Sequence, residues 1–292
     1  MIDEYYKNLK ERFTQIISLE KAPKTFNEGV MHDFFVKNPT CLLGTVMNNK
    51  VDGYYIYGDS VFSKISIGNW EQRVPDFIII TYNSAEITFN FIEIEAVNRK
   101  IFNGQNDFTA DFNHSFTQLE DWKRLFPANL DEMTRKMVVS CFSDLGVYDG
   151  ARAINAKYIL VYGSSDEYKG HEIKMQRLNQ KFQNAGFHYI SYDRLVNNFV
   201  IERGVYTLKY NSSSGGFQTI GWTPYLNYPI GRRRSFGRLE NKIDLVINSE
   251  YHDEKQKEIL IGSITKLDSI SIISLNESDL GMDFIEDHDM YD

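Results

Sequence analysis

The chain has 292 residues, 42% of them hydrophobic and 25% charged, with a formal net charge of −8. This composition excludes a disordered, collagen-like or coiled-coil protein, and the length fits one large domain or a core with a smaller second unit. No apolar run approaches the roughly 18–20 residues that span a bilayer, and two cysteines with a charged N-terminus that lacks a signal-peptide core predict a cytoplasmic protein without a membrane partner.

Helical and strand patterns alternate along the first 205 residues. Apolar spacing predicts helices over 3–20, from near Thr25 to Asn38, over 109–126, over 171–184 and over 193–199. Runs rich in β-branched and aromatic residues predict strands over 41–47, 51–57, 75–81, 86–95, 157–162 and 187–192. The strand–helix–strand order after residue 157 is typical of a sheet that contains parallel strands.

The pattern changes after about residue 205. Short strands and turns are predicted for 217–275, and the last 17 residues contain seven acidic residues and neither Lys nor Arg. We therefore divide the chain into an N-terminal helix (1–24), an α/β domain (25–205), a β-rich C-terminal segment (206–275) and an acidic tail (276–292). Removing the tail's −7 from the total of −8 leaves −1 for residues 1–275. The overall charge therefore does not exclude a nucleic-acid partner.

The densest basic segment runs from Gly231 to Arg238. Arginines beside glycine and an aromatic residue suit phosphate contact and base stacking, which makes this segment a candidate DNA-binding site. A solvated loop, or a partner for the acidic tail, would have the same composition. If the tail masks the segment, deleting the tail will tighten DNA binding. The candidate residues are Arg232, Arg233, Arg234 and Arg238.

Three acidic residues, Asp76, Glu93 and Glu95, stand in two adjacent predicted strands. Residues two apart in a strand share a face, so Glu93 and Glu95 point the same way. A hairpin that turns near Ser84 puts Asp76 opposite residue 92 or 93, within about 5–8 Å of Glu93. Carboxylates this close repel each other unless a cation lies between them, and two carboxylates with a backbone carbonyl suit Mg²⁺ or Mn²⁺. Taken singly, each acid also fits a turn or a solvated strand face.

The order of short motifs over about residues 25–200 resembles a known family. Pro75-Asp76 followed by Glu93-Ile94-Glu95 is similar to the core motif of the PD-(D/E)XK nuclease superfamily, and the whole pattern resembles the Shedu anti-phage nuclease family. The further matching segments are Asn27-Glu28 to Phe34-Phe35, Asn38-Pro39, Thr117 to Trp122 and Ser191 to Leu195. The resemblance implies a restriction-endonuclease-like α/β core over 25–205, with a mixed sheet flanked by helices, followed by a smaller β-rich C-terminal segment. It also implies a homo-oligomer.

The resemblance further implies a metal-dependent DNA endonuclease or nickase in anti-phage defence. Asp76, Glu93 and the backbone carbonyl of Ile94 are the implied metal ligands. Gln118, which shares a helix face with His114 and Trp122, is implied to approach the metal-bound water or the scissile phosphate. Glu28 is implied to orient a metal-bound water. Gln118 also fits a solvated helix residue, and Glu28 a capping-box acid.

One residue departs from the family pattern, because Glu95 stands where the family usually has Lys. A glutamate cannot supply positive charge, so it would act as a general base or a second metal ligand. The missing cation could then come from Arg99, Lys100 or Lys123. The same change fits a catalytically inactive module that binds DNA or a partner protein. A third interpretation is an interaction protein whose acidic residues only face solvent.

Overall fold

The computed structural model of the chain describes residues 2–21, 28–47, 55–66, 74–129, 133–134, 137, 152–200, 205–211, 216–223, 242–248, 254, 257–258 and 261–262. The helices in this part of the chain are α1 (Ile2–Glu20), α2 (Glu28–Lys37), α3 (Ala110–Leu125), α4 (Glu172–Ala185), α5 (Tyr192–Asn197) and α6 (Lys242–Ile247). The strands are β1 (Tyr55–Ser63), β2 (Phe77–Tyr82), β3 (Glu86–Ile94), β4 (Ala153–Val161), β5 (His188–Ile190), β6 (Val205–Asn211) and β7 (Gly216–Thr223). None of the described helices has the length and hydropathy needed to cross a bilayer.

The strands form one mixed sheet in the order β5-β4-β3-β2-β1-β6-β7. The pairs β3–β4, β4–β5 and β1–β6 are parallel, and the pairs β1–β2, β2–β3 and β6–β7 are antiparallel. The expected fold class, an α/β core with a mixed sheet flanked by helices, is confirmed. Strands β6 and β7, which lie in or beside the predicted β-rich C-terminal segment, extend this same sheet through β1. The proposed domain boundaries stay predictions.

Strand alternation divides the core between the two faces of the sheet. Along β3, Phe89 and Phe91 pack with α3 and α4 on one face. Ile92 and Ile94 pack on the opposite face with α1, α2 and α5. Because β3 is covered on both faces, every residue from Ile87 to Ile94 is buried, including the polar Thr88 and Asn90.

The segment predicted as a strand over 41–47 is instead a 3₁₀ helix, Pro39–Thr45, so that prediction is wrong. The three consecutive residues Cys41, Leu42 and Leu43 are all fully buried. A strand would have pointed alternate residues to opposite sides, whereas a helical turn buries all three between α2, α5 and the sheet. Proline at the first turn of the helix favours this conformation because its missing N–H needs no partner there.

The other predicted elements differ from the structure mainly at their ends. Strand β4 begins four residues before the predicted 157, with alternating exposure in its first half. The described part of the predicted strand 51–57 begins β1, which continues to Ser63. In 217–275 the structure has β7 and the short helix α6, and that helix was not predicted. The arginine segment and the acidic tail lie outside the described residues.

A three-residue 3₁₀ turn, Ser165–Glu167, connects the two faces of the sheet. The backbone N–H of Ser165 donates to Asp193 in α5 at 2.8 Å. The Glu167 carboxylate accepts from the backbone N–H of Ile101, in the loop before α3, at 2.6 Å. The turn therefore bonds to the α5 side and to the α3 side of the core.

Candidate active site

The carboxylates singled out in the sequence lie where β2 begins and β3 ends. The antiparallel register pairs Phe77 with Ile92, so the next position outward sets Asp76 opposite Glu93. Ile78 and Phe91, the neighbours of these two residues on the same face, belong to the core beneath α3. Because side chains alternate between the two faces of a strand, the side chains of Asp76 and Glu93 both leave the backbone on the α3 side of the sheet.

Asp76 is fixed by three contacts at the ends of the neighbouring strands. Its Oδ2 accepts a hydrogen bond from the backbone N–H of Ile94 at 2.9 Å. Its Oδ1 contacts the ammonium of Lys64 in an ion pair. Its backbone carbonyl accepts from the backbone N–H of Lys64 at 3.0 Å. Because Asp76 is only 2% exposed, these contacts replace the water that a carboxylate loses on burial.

Glu93 is buried with less compensation. It is 7% exposed, and its Oε2 has no hydrogen-bond partner among the described residues. Burial raises the pKa of Glu93 well above its usual value, and the nearby charges of Asp76 and Glu95 raise it further. A carboxylate in this position is stabilised in its charged form by an added cation.

The Glu95 side chain contacts a different set of residues. Its Oε1 accepts from the Ser115 hydroxyl at 2.5 Å, and its Oε2 lies 3.0 Å from Nε of Arg99. Arg99 also pairs with Asp111 at 3.0 Å. Burial raises the pKa of Glu95, and Ser115 and Arg99 only partly oppose this. Glu95 thus ties the end of β3 to the first turns of α3.

Helix α3 covers this end of the sheet. Thr109 caps it by accepting from the backbone N–H of Phe112 at 3.2 Å. Of the three residues expected on one face, Trp122 is buried core, Gln118 is half-buried and His114 is exposed. Gln118 Oε1 is shielded from solvent and has no hydrogen-bond partner among the described residues. The indole N–H of Trp122 is likewise buried without a recorded partner, but of these two groups the Gln118 oxygen is the one that can accept a hydrogen bond.

Helix α2 borders the same strand ends from the other layer. Glu28, at its first position, is half-buried, and its pKa is raised by burial and by the charges of Asp76 and Glu95. The His32 ring stacks on Phe77 with centroids 4.9 Å apart. Burial lowers the pKa of His32, and the Lys64 charge lowers it further. The pKa values of both residues therefore depend on the charges around Asp76.

The cations proposed from the sequence lie in different surroundings. Arg99 is held by Glu95 and Asp111. Lys123 donates to the Ala185 carbonyl at 2.7 Å and lies over the Phe187 ring, near the C-terminal end of α3. Lys100 is exposed. Of the three, Arg99 is linked to the acidic residues of the site, through its ion pair with Glu95.

Sequence reasoning missed Lys64, the cation that does contact Asp76. It follows β1 with a left-handed backbone, φ 51°. Partial burial disfavours its charge, but Asp76, with Glu93 and Glu28 nearby, raises the pKa of Lys64 above its usual value. The position of Lys64 could have been inferred from where β1 ends. Had the predicted strand 51–57 been extended to Ser63, its end would have fallen beside the start of β2.

Two residues of the Ser191-Tyr192-Asp193 motif support the site from below. The Tyr192 hydroxyl donates to the backbone carbonyl of Glu95 at 2.5 Å. Its ring is fully buried and stacks on Phe35, with ring centroids 6.4 Å apart. Asp193 accepts from the backbone N–H of Ser165. The motif therefore fixes the chain at Glu95 and anchors α5 beneath it.

The donor set at this site suits a hard divalent cation. Within the described ranges, no three Asp, Glu, His or Cys side chains are grouped to hold a metal ion. Mg²⁺ typically takes only one or two protein carboxylates and completes its shell with water and substrate oxygens. The buried, unpartnered Glu93 Oε2 beside Asp76 fits that requirement.

The burial of these acids also bears on the interpretation that they only face solvent. Asp76, Glu93 and Glu95 are at most 7% exposed. That interpretation is wrong for all three residues, whose placement is instead determined by specific partners and by one another.

Comparison with known protein families gives one match. A family model described as Shedu protein SduA, C-terminal, matches residues 26–196, more than half of the chain. The matched region begins just before α2 and ends in α5, so it contains every side chain described at this site. No curated protein matches the chain.

Proposed function

The chain belongs to the Shedu protein SduA family, which implies a role in anti-phage defence, and we propose that it acts there as a metal-dependent DNA endonuclease or nickase. The observation that carries this proposal is the buried pair Asp76 and Glu93, in which Glu93 Oε2 has no hydrogen-bond partner among the described residues. In the described part of the chain Lys64 pairs with Asp76 only, so a further cation at Glu93 would relieve the remaining cost of burying its charge. DNA as a partner, and assembly into a homo-oligomer, are part of the same proposal.

The proposed metal ligands are Asp76, Glu93 and the backbone carbonyl of Ile94. A bound Mg²⁺ or Mn²⁺ would polarise a phosphoryl oxygen and lower the pKa of a bound water. Asp76 Oδ2 is already oriented by the Ile94 N–H, and Oδ1, which pairs with Lys64, is the oxygen that a metal ion would take. The residues that hold the metal are therefore preorganised by β2 and β3.

The proposed hydrolysis forms a bond from a water oxygen to phosphorus and breaks one P–O ester bond. The attacking water must lose a proton, and the leaving oxygen must gain one. To Gln118, whose Oε1 is shielded and unpartnered among the described residues, we assign the acceptance of a hydrogen bond from that water. Glu28, whose pKa is raised by burial and by Asp76, suits the orientation of the water and the transient acceptance of its proton.

Glu95 has a supporting part in this proposal. Its Oε1 accepts from Ser115 and its Oε2 pairs with Arg99, which favours a supporting role over that of a general base or second metal ligand. We assign it the role of holding the end of β3 against α3, which positions Glu93 two residues earlier in the strand.

A plasmid-nicking assay with Mg²⁺ or Mn²⁺ tests the proposal. Asp76→Asn and Glu93→Gln preserve shape and remove the charge that a metal needs. Each is expected to reduce nicking by at least about 100-fold, since a bound metal contributes several kcal/mol to such reactions. The control is Glu86→Gln, at the opposite end of β3, where the carboxylate bonds Asn155. Nicking by both site variants at the rate of the control would contradict the proposal.

A second candidate function is a catalytically inactive module that binds DNA or a partner protein. The observation in its favour is Glu95 in place of the expected Lys, with its charge compensated by Arg99. This alternative predicts DNA affinity that is indifferent to Mg²⁺, and intact plasmid in the assay above.

A further inference from the structure

Lys64 joins the acidic site from the end of β1. Its ammonium contacts Asp76 Oδ1, and the charges of Glu93 and Glu28 also act on it. The Lys64 side chain is 43% exposed, whereas that of Asp76 is 2% exposed. The lysine therefore links a buried carboxylate to the solvent from which a substrate would approach.

We infer that Lys64 is the phosphate-binding cation of this site, and that without metal and DNA it occupies the Asp76 oxygen that a metal ion would take. This inference rests on the proposed nuclease function. It assigns the positive charge that Glu95 cannot provide to a residue from a different strand.

The neighbouring cation, Arg99, is less suited to that role. It bridges two carboxylates, Glu95 and Asp111, at 3.0 Å each, and its side chain is 25% exposed. A phosphate there would compete with both carboxylates for the guanidinium and weaken the counter-charge of buried Glu95, which is costly. Lys64 has to leave a single carboxylate, and a metal ion would then compensate that carboxylate.

The exchange follows from charge and chain geometry. An ammonium and a divalent cation on the same carboxylate oxygen repel each other, so metal binding favours release of Lys64. The flexible four-carbon stem lets the ammonium move to a phosphate oxygen. Meanwhile the backbone N–H of Lys64 stays bonded to the Asp76 carbonyl at 3.0 Å. The lysine is therefore kept beside the site while its charge changes partner.

The test measures Mn²⁺ binding and plasmid nicking separately. Lys64→Met removes both the competitor and the like charge, so Mn²⁺ should bind about tenfold more tightly, which corresponds to about 1.4 kcal/mol. At saturating Mn²⁺ the same variant should nick roughly 100-fold more slowly, because a donor to the reacting phosphate is lost. Lys64→Arg, which keeps the charge, should restore nicking to within about tenfold of the unmodified protein.

The control is Lys7→Met, which removes a lysine charge from the exposed side of α1 and should change neither measurement. If Lys64→Met fails to fold in a thermal melt, Lys64→Gln takes its place. Unchanged Mn²⁺ affinity, or unchanged nicking at saturating Mn²⁺, would overturn the assignment of Lys64. If the unmodified protein neither binds Mn²⁺ nor nicks DNA, the proposed function itself fails; that result is distinct from a failure of Lys64 alone.

Discussion

At the scale of single residues, the carboxylates of the site differ in their hydrogen bonds and ion pairs. Glu95 occupies the position of an expected lysine, yet its charge is balanced by Arg99 and its oxygen is bonded by Ser115. Glu93 Oε2, like Glu95 Oε2, has no hydrogen-bond partner among the described residues, but Glu95 Oε2 has the ion pair with Arg99. Two glutamates two positions apart at the end of β3 therefore have different surroundings, and the different roles proposed for them rest on this difference.

Tyr192 offers a test of how much the site depends on its support. Tyr192→Phe removes the hydroxyl that donates to the Glu95 carbonyl at 2.5 Å. We expect a loss of about 1–2 kcal/mol in the free energy of unfolding, measured by urea denaturation, because a buried acceptor loses its donor. Nicking should also fall several-fold, since the end of β3 is less well held.

The matched control for Tyr192 is Tyr189→Phe. Tyr189 also donates to a backbone carbonyl, that of Tyr162 at 3.0 Å, but not at the candidate site. It should show a similar loss of stability with nicking unchanged. Equal nicking by the two variants would show that Tyr192 stabilises the fold without positioning the site.

The residues of the site were predictable to different extents. Asp76 and Glu93 could be paired from the sequence because a tight turn fixes the hairpin register, and period-two alternation fixes the face. Finding Lys64 required a β1 strand longer than the predicted 51–57, and Ser115 could not be found from strand patterns at all. Lys64 reaches Asp76 from a neighbouring strand, whereas Ser115 contacts Glu95 across 20 residues of sequence, and neither residue carries a local pattern.

At the scale of elements, close backbone contacts decide how α2 is held. A Cβ added to Gly221 in β7 would lie 1.8 Å from the Val36 carbonyl oxygen in α2. The same carbonyl accepts from the Thr207 hydroxyl in β6 at 2.7 Å. Helix α2, which carries Glu28, is therefore packed directly on two strands that follow the matched family region.

Gly221→Ala tests this contact. The added methyl group meets backbone that cannot easily yield, so we expect a destabilisation of about 3 kcal/mol, at the upper end of the range for overpacking. The measurement is the urea midpoint at constant slope. Gly104→Ala is the control, because a Cβ at Gly104 meets no atom within 4 Å. Equal midpoints for the two variants would contradict the close approach of α2 and β7.

Element types were easier to predict than element neighbours. The helices α1, α3 and α4 carry clear apolar stripes, and β2 and β3 are rich in β-branched and aromatic residues, so both types could be recognised locally. The 3₁₀ helix Pro39–Thr45 could not, because its fully buried apolar run has no period that distinguishes a helix from a strand. Its conformation is decided by burial on several sides.

At the scale of the whole molecule, the mixed sheet brings the ends of β1, β2 and β3 together beneath elements from both layers. The α/β class followed from the alternation of helix and strand patterns. The parallel pairing of β1 with β6 joins residues 146 positions apart, for example Val61 with Thr207. Such long-range pairing leaves no local sequence signal, which is why the extension of the sheet by β6 and β7 was not foreseen.

The distribution of charge makes one prediction for the whole chain. The tail 276–292 carries −7 of the net −8, so its deletion should tighten binding to a labelled DNA duplex at fixed salt. Fluorescence anisotropy measures this affinity. A full-length variant with the seven acids changed to their amides should bind as tightly as the deletion. Unchanged affinity in both would end the idea that the tail masks a DNA-binding surface.

The turn Ser165–Glu167 affects how the protein unfolds. Because it bonds Asp193 on one side of the sheet and Ile101 on the other, its local opening loosens both layers together. The two layers should therefore open as one cooperative unit and not peel away independently. The candidate site should therefore lose its geometry only when the whole core melts.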